Sequence, residues 1–145
     1  MPDTPTFGRY AELPLSAMTP EQRDAYNGLM ETRGRLPGPN KIYVHNPKLA
    51  KVMGPLGAYF RTGYSLSERE REIAVIVTNA HFHAAYPTNA HERAGKAAGL
   101  PDDKVEAMLS NLPTSFDNER EQVVYEMAIA LINARGCPKG CTTAR

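Results

Sequence analysis

Ser67-Glu68-Arg69-Glu70-Arg71-Glu72-Ile73-Ala74-Val75-Ile76-Val77-Thr78-Asn79-Ala80, continuing through His81-Phe82-His83, decides the fold. Residues 72–80 carry strand-like propensity. Ser67 followed three residues later by Glu70, however, is a capping box, and the run continues through His83. Both features predict a helix and outweigh propensity, a weak prior. The helix is apolar nearly all round, which places it at the centre of an all-α arrangement.

Downstream, Tyr86-Pro87-Thr88 breaks the pattern and starts a helix that runs through His91 and Ala97 to a stop at Gly99. A short helix follows Leu100-Pro101-Asp102-Asp103, bearing Val105, Met108 and Leu109. Asp117 caps a long helix in which Val123, Val124, Met127, Ala128, Leu131 and Ile132 repeat at helical spacing until Gly136. Upstream, Thr19-Pro20-Glu21-Gln22 is a capping box with proline at the first helical position, and that helix stops near Gly34. Leu36-Pro37-Gly38-Pro39-Asn40 reads as a rigid loop. Asn46-Pro47 starts a further helix whose Leu49, Val52, Met53, Leu56, Tyr59 and Phe60 form one apolar stripe, with Pro55 expected to kink or interrupt it. The expected architecture is an α-helical bundle of about six helices. Residues 1–18 form an extended arm, 19–135 the helical domain and 136–145 an irregular tail.

The 145-residue chain is 41% apolar and 23% charged with a net charge of +1, as expected of one globular domain. Acidic and basic residues are interleaved, so no nucleic acid or anionic membrane is favoured as partner. No apolar run approaches the roughly 18 residues of a membrane span. The N-terminus lacks the basic and apolar regions of a signal peptide, which makes the cytoplasm the expected location. Cys137 and Cys141, the only cysteines, are separated by Pro138-Lys139-Gly140. They have neither the further ligands a zinc site needs nor the spacing of a redox pair.

Chemistry is expected around Glu72 and His91. Glu72 opens the most apolar stretch, where a buried carboxylate needs a partner. If the chain turns near Ala84–Pro87 and runs back, the following helix brings His91 to it, within hydrogen-bonding reach or one water away. Such a Glu–His pair can shuttle a proton, and it can also be a structural ion pair. Asn79 and His83 fall on the same stripe as Glu72 at about 100° per residue. His81 and His83 form His-x-His, which points apart on a helix, so no metal is expected.

The segment from Arg71 to Ala80, Tyr86, Ala90-His91-Glu92-Arg93-Ala94 and Ala98-Gly99-Leu100 resembles the carboxymuconolactone decarboxylase family. Supporting pieces are Pro37-Gly38-Pro39, His45-Asn46-Pro47-Lys48-Leu49, Tyr59-Phe60-Arg61 and Asp117-Asn118-Glu119-Arg120, so the likeness runs from about residue 10 to 135. The resemblance implies an alkyl hydroperoxidase D-like all-α fold, a homo-oligomer (a trimer or a multiple of one) and activity on a small carboxylated lactone or ketone. It implies a lyase-like enzyme without cofactor, in which His91 moves a proton and Glu72 orients or relays it. Asn79, His83 and Tyr86 are then candidate pocket residues, and Arg61 a candidate for the substrate carboxylate. In the alkyl hydroperoxidase D branch a Cys-x-x-Cys precedes the histidine; here Ala84 and Pro87 hold those positions, which disfavours a peroxidase-related antioxidant role. Decarboxylase-like members have Tyr-Glu-Trp where this chain has Tyr86-Pro87-Thr88, so a non-catalytic oligomer with a decayed pocket is the alternative.

The family continues past residue 135 with further helices that begin with a segment like Ser-x-x-Leu-Tyr-Asp-Arg-Ala. Codons allowed for residues 136–145 can be read two bases later as Leu-Ser-Gln-Gly-Leu-Tyr-Asp-Arg-Ala. A frameshift that truncates the chain is therefore expected, and with it an exposed apolar patch at Val123, Met127, Leu131 and Ile132.

Overall fold

The computed structural model describes residues 5–6, 10–36 and 38–133. Among them are seven α-helices, so the fold is all-α, with one more helix than periodicity predicts. The chain divides into two compact units, residues 1–64 and 65–145.

In the first unit, β1 (Pro5–Thr6) pairs antiparallel with β2 (Tyr10–Ala11), and a 3-10 turn, Leu15–Ala17, leads to α1 (Pro20–Arg33). The capping box forms as expected: Thr19 Oγ1 accepts from the Gln22 amide, and Gln22 Oε1 accepts from the Thr19 amide. The helix ends at Gly34, whose φ of 67° suits a residue without a Cβ. The expected loop after Leu36 is instead largely helical, because α2 (Gly38–Tyr43) begins there. Pro39 falls in its first turn, where a missing N–H costs no helical bond. Pro37 lies outside the described residues.

Asn46 caps α3 (Pro47–Thr62) by accepting from the Leu49 amide, and Pro47 takes the first position. The helix continues across Pro55 rather than being interrupted, and the exposure of Pro55 allows water to take up the carbonyl it leaves unbonded. The apolar stripe does not form the core contact. Small residues do that: Ala50 and Gly54 are buried, and the missing Gly54 side chain admits Leu29 Cδ2 to 3.3 Å from where a Cβ would stand. Ala25, Leu29, Val44 and Ala50 make the core of this unit. Leu49, Val52, Leu56, Tyr59 and Phe60 remain 42–63% exposed.

In the second unit α4 (Glu68–His81) is central, packed by α5 (Ala85–Ala97), α6 (Asp102–Leu109) and α7 (Glu119–Ile132). Ser67 and Glu70 form the expected capping box. Ile73, Ile76 and Val77 of α4 join Leu100, Val105, Met108, Phe116 and Ala128 in one core. Three turns here share one design, a Schellman motif with a left-handed residue just past the helix. Gly99 (φ 88°) and Asn111 (φ 55°) end α5 and α6, and both are residue types suited to the position. His83 (φ 51°) ends α4: its amide donates to the Ala80 carbonyl at 3.1 Å and the next amide, Ala84, to Asn79 at 2.9 Å. The α4 helix thus stops two residues before His83, and His83 does not share the stripe of Glu72 and Asn79.

The cap of α7 is Asn118, not Asp117; Asn118 Oδ1 accepts from the Arg120 and Glu121 amides. The expected patch on α7 is not formed: Ile132 packs against the core, Val123 and Met127 are half-buried, and Leu131 alone of the four is exposed. Gly136, the tail and both cysteines lie outside the described residues. No helix among the described residues is long and apolar enough to cross a membrane.

Two ion pairs tie the beginnings of α4 and α7 by exchanging charges. Arg69 Nε and Nη2 donate to Glu121 at 2.6 and 3.0 Å, and Arg120 Nε donates to Glu70 at 2.7 Å. Both carboxylates are buried, so each needs its guanidinium. The Arg120 hydrogen bond outweighs burial and holds the Glu70 carboxyl below its ordinary value.

Candidate proton-transfer site

Glu72 sits in the second turn of α4, flanked by the core residues Ile73 and Ile76, and is only 1% exposed. What it faces is set by α5. Gly95 on that helix is buried, and a Cβ built there would lie 2.9 Å from Ile76 Cδ1, 3.1 Å from Leu100 Cδ1 and 3.7 Å from Glu72 Cβ. The bare backbone at Gly95 therefore lets α5 approach α4 beside Glu72. His91, one helical turn earlier, is carried to the carboxylate on the same face.

His91 Nδ1 stands 2.7 Å from Glu72 Oε2, and Arg71 Nε donates to Oε1 at 2.9 Å. Both carboxylate oxygens are thus engaged. Burial pushes the Glu72 carboxyl up, but the hydrogen bonds from His91 and Arg71 and their charges outweigh it, and the group is held below its ordinary value. Glu72 is therefore ionised near neutrality and can only accept, so Nδ1 carries the hydrogen in this contact. Nε2 is the nitrogen left to take up or release a proton, on a side chain that is 34% exposed. A buried anchor and a half-exposed imidazole are what a proton shuttle requires.

The other expected site residues are placed as follows. Asn79 lies two turns after Glu72 on the same face of α4, and its buried Nδ2 has no hydrogen-bond partner among the described residues. His83 is in the turn and exposed. Tyr86 is exposed in the first turn of α5, about 140° around that helix from His91. Arg61 belongs to the first unit, where it donates to the Thr32 carbonyl. His81 packs edge-on against Phe82, with ring centroids 4.9 Å apart. Ala84 and Pro87 occupy the N-cap and third positions of α5, where a thiol would gain from the helix dipole; neither residue can supply one. Among the described residues no three His, Cys, Asp or Glu side chains gather as a metal site would need. Arg71 and Gly95 are the contributors that periodicity does not reveal: Arg71 folds onto its own neighbour in sequence, and Gly95 acts through the approach of α5 to α4.

Comparison with protein-family models, with curated proteins and with solved structures finds no match to this chain.

Proposed function

We propose that the chain is a cofactor-free proton-transfer enzyme. The particular reading is a carboxymuconolactone decarboxylase-like lyase acting on a small carboxylated lactone or ketone, in keeping with the sequence resemblance. The observation that carries it is the 2.7 Å contact between buried, ionised Glu72 and half-exposed His91. When a β-keto-like acid loses CO2, the bonding electron pair passes into an enolate. His91 Nε2–H delivers the proton to carbon, Glu72 stabilises the imidazolium beforehand, and solvent restores the proton afterwards. Asn79 Nδ2, buried two turns along the same face of α4, is a donor without a protein partner among the described residues. The test is CO2 release from a panel of small β-keto acids and carboxylated lactones by the purified chain without added cofactor. Turnover above the protein-free rate with at least one substrate is expected; none across the panel would favour the non-catalytic alternative. Peroxidase chemistry is disfavoured by Ala84 and Pro87.

Assembly of identical copies, in trimers or their multiples as the resemblance implies, is the second part of the proposal, and α3 supports it. Its five exposed apolar side chains present roughly 500 Å², and no charged residue interrupts them between Val52 and Phe60. A stable interface uses about 800 Å² per partner, somewhat over half of it apolar, so the stripe supplies about the apolar share. Lys48 and Lys51 flank its beginning, and the neutral part from Val52 to Phe60 suits another copy of itself better than a charged partner. Sedimentation at micromolar concentration is expected to give an oligomer that Leu56→Glu and Tyr59→Glu dissociate. A stable wild-type monomer would refute the assembly.

A further inference from the structure

We infer that the first unit carries a binding site for a small amphiphilic carboxylate, in the cavity where Arg35 and Tyr26 meet an apolar wall. The cavity is about 330 Å³ and is formed by residues 12–18, α1, the turn after it, α2 and Val44 just beyond it. That volume is at the lower end of small-molecule sites and suits about a dozen non-hydrogen atoms. Its wall is Leu13, Met18, Met30, Leu36 and Val44, of which Val44 is buried and the others half-buried. Two methionines in one wall give it an adaptable shape, fitted to a compact aromatic or short aliphatic body.

Charge decides which end-group the ligand carries. Glu12, Arg35 and Lys41 line the cavity, and Lys41 is paired with Glu12, which leaves one positive charge uncompensated. Arg35 makes no hydrogen bond or ion pair among the described residues, and neither does the Tyr26 hydroxyl, so both are available to a ligand. A guanidinium holds a carboxylate through two parallel bonds, a geometry a neutral alcohol cannot use. Gly34, also in the lining, ends α1, and the partial negative charge of that helix end works against an anion placed deep inside. The carboxylate therefore sits at the exposed Arg35, with the apolar body inward. This site is independent of the Glu72–His91 pair and of what that pair catalyses.

The experiment is an NMR titration of the full chain with 4-phenylbutanoate, 4-phenylbutanol and 4-phenylbutylammonium. Saturable shifts at Tyr26, Met30 and Leu36 are expected with the acid in the millimolar range or below. The alcohol should bind about tenfold more weakly and the ammonium more weakly still. Arg35→Gln removes an exposed side chain without partners, so the fold survives, and acid affinity should drop about tenfold to the level of the alcohol. Tyr26→Phe should cost a few-fold. Equal binding of acid and alcohol would overturn the proposal, as would unchanged acid binding by Arg35→Gln, shifts confined to residues near Glu72 and His91, or no saturable shift with the acid.

Discussion

His91→Ala should reduce turnover by about 10²- to 10⁴-fold, the usual contribution of a positioned acid–base group, while far-UV dichroism and the urea midpoint stay near wild type. The fold should survive because a third of the side chain is exposed and its removal frees the carboxylate to keep Arg71 as partner. Added imidazole should restore part of the rate to His91→Ala, since the missing group is small and its site opens to solvent. Glu72→Gln keeps the shape but no longer stabilises an imidazolium, so kcat should fall more than KM rises. Full turnover by His91→Ala would remove the histidine from the chemistry.

Ile76→Ala should cost about 2–5 kcal/mol of stability, the range for truncating a large aliphatic side chain in a core that cannot collapse onto the gap. Ile76 is 0% exposed, and its Cδ1 fills the place a side chain at Gly95 would need. The urea midpoint should fall without a change in slope. A loss below about 1 kcal/mol would mean that α4 and α5 can repack freely. The same contact predicts non-additivity. Gly95→Ala alone drives its new methyl into Ile76, at a cost of about 1 kcal/mol or more. In an Ile76→Val background the nearer obstructing carbon is absent and only Leu100 Cδ1, at 3.1 Å, still crowds the site, so the cost of Gly95→Ala should shrink. Additive effects would contradict this account.

Caps and periodicity made most of the helices legible, because Thr19, Asn46 and Ser67 announce their helices chemically and α4 is too apolar to sit anywhere but the centre. The meeting of Glu72 and His91 followed from a turn between two helices and one face on each. What escaped were features that a one-dimensional pattern does not encode. The six-residue α2 is too short for a period and opens on Gly38-Pro39, which locally spells a turn. Asp117 and Asn118 are adjacent cap candidates, and only the helix register chooses Asn118. In sequence His83 continues the α4 pattern, and nothing but a backbone angle distinguishes it from one more helical residue.

The α3 stripe is the most instructive case. Periodicity finds an amphipathic face but not what that face meets, and here the small residues Ala50 and Gly54 turn inward. Helix approach depends on absent atoms as much as on large apolar ones, and Gly95 makes the same point at the candidate site. The charge exchange between α4 and α7 joins residues about fifty positions apart, beyond the range of any local pattern.

That exchange has a consequence for the order in which the second unit can be completed during synthesis. Arg69 and Glu70 leave the ribosome long before Arg120 and Glu121, and the whole of α5 and α6 is made in between. Until α7 arrives, Arg69 and Glu70 lack their partners, and with Glu68 they form a hydrated, charged stretch ahead of the apolar run that starts at Ile73. The residues that later lock the last helix down thus act first as a charged head on the β-branched, apolar run from Ile73 to Val77, the kind of stretch that flanking charges keep from associating.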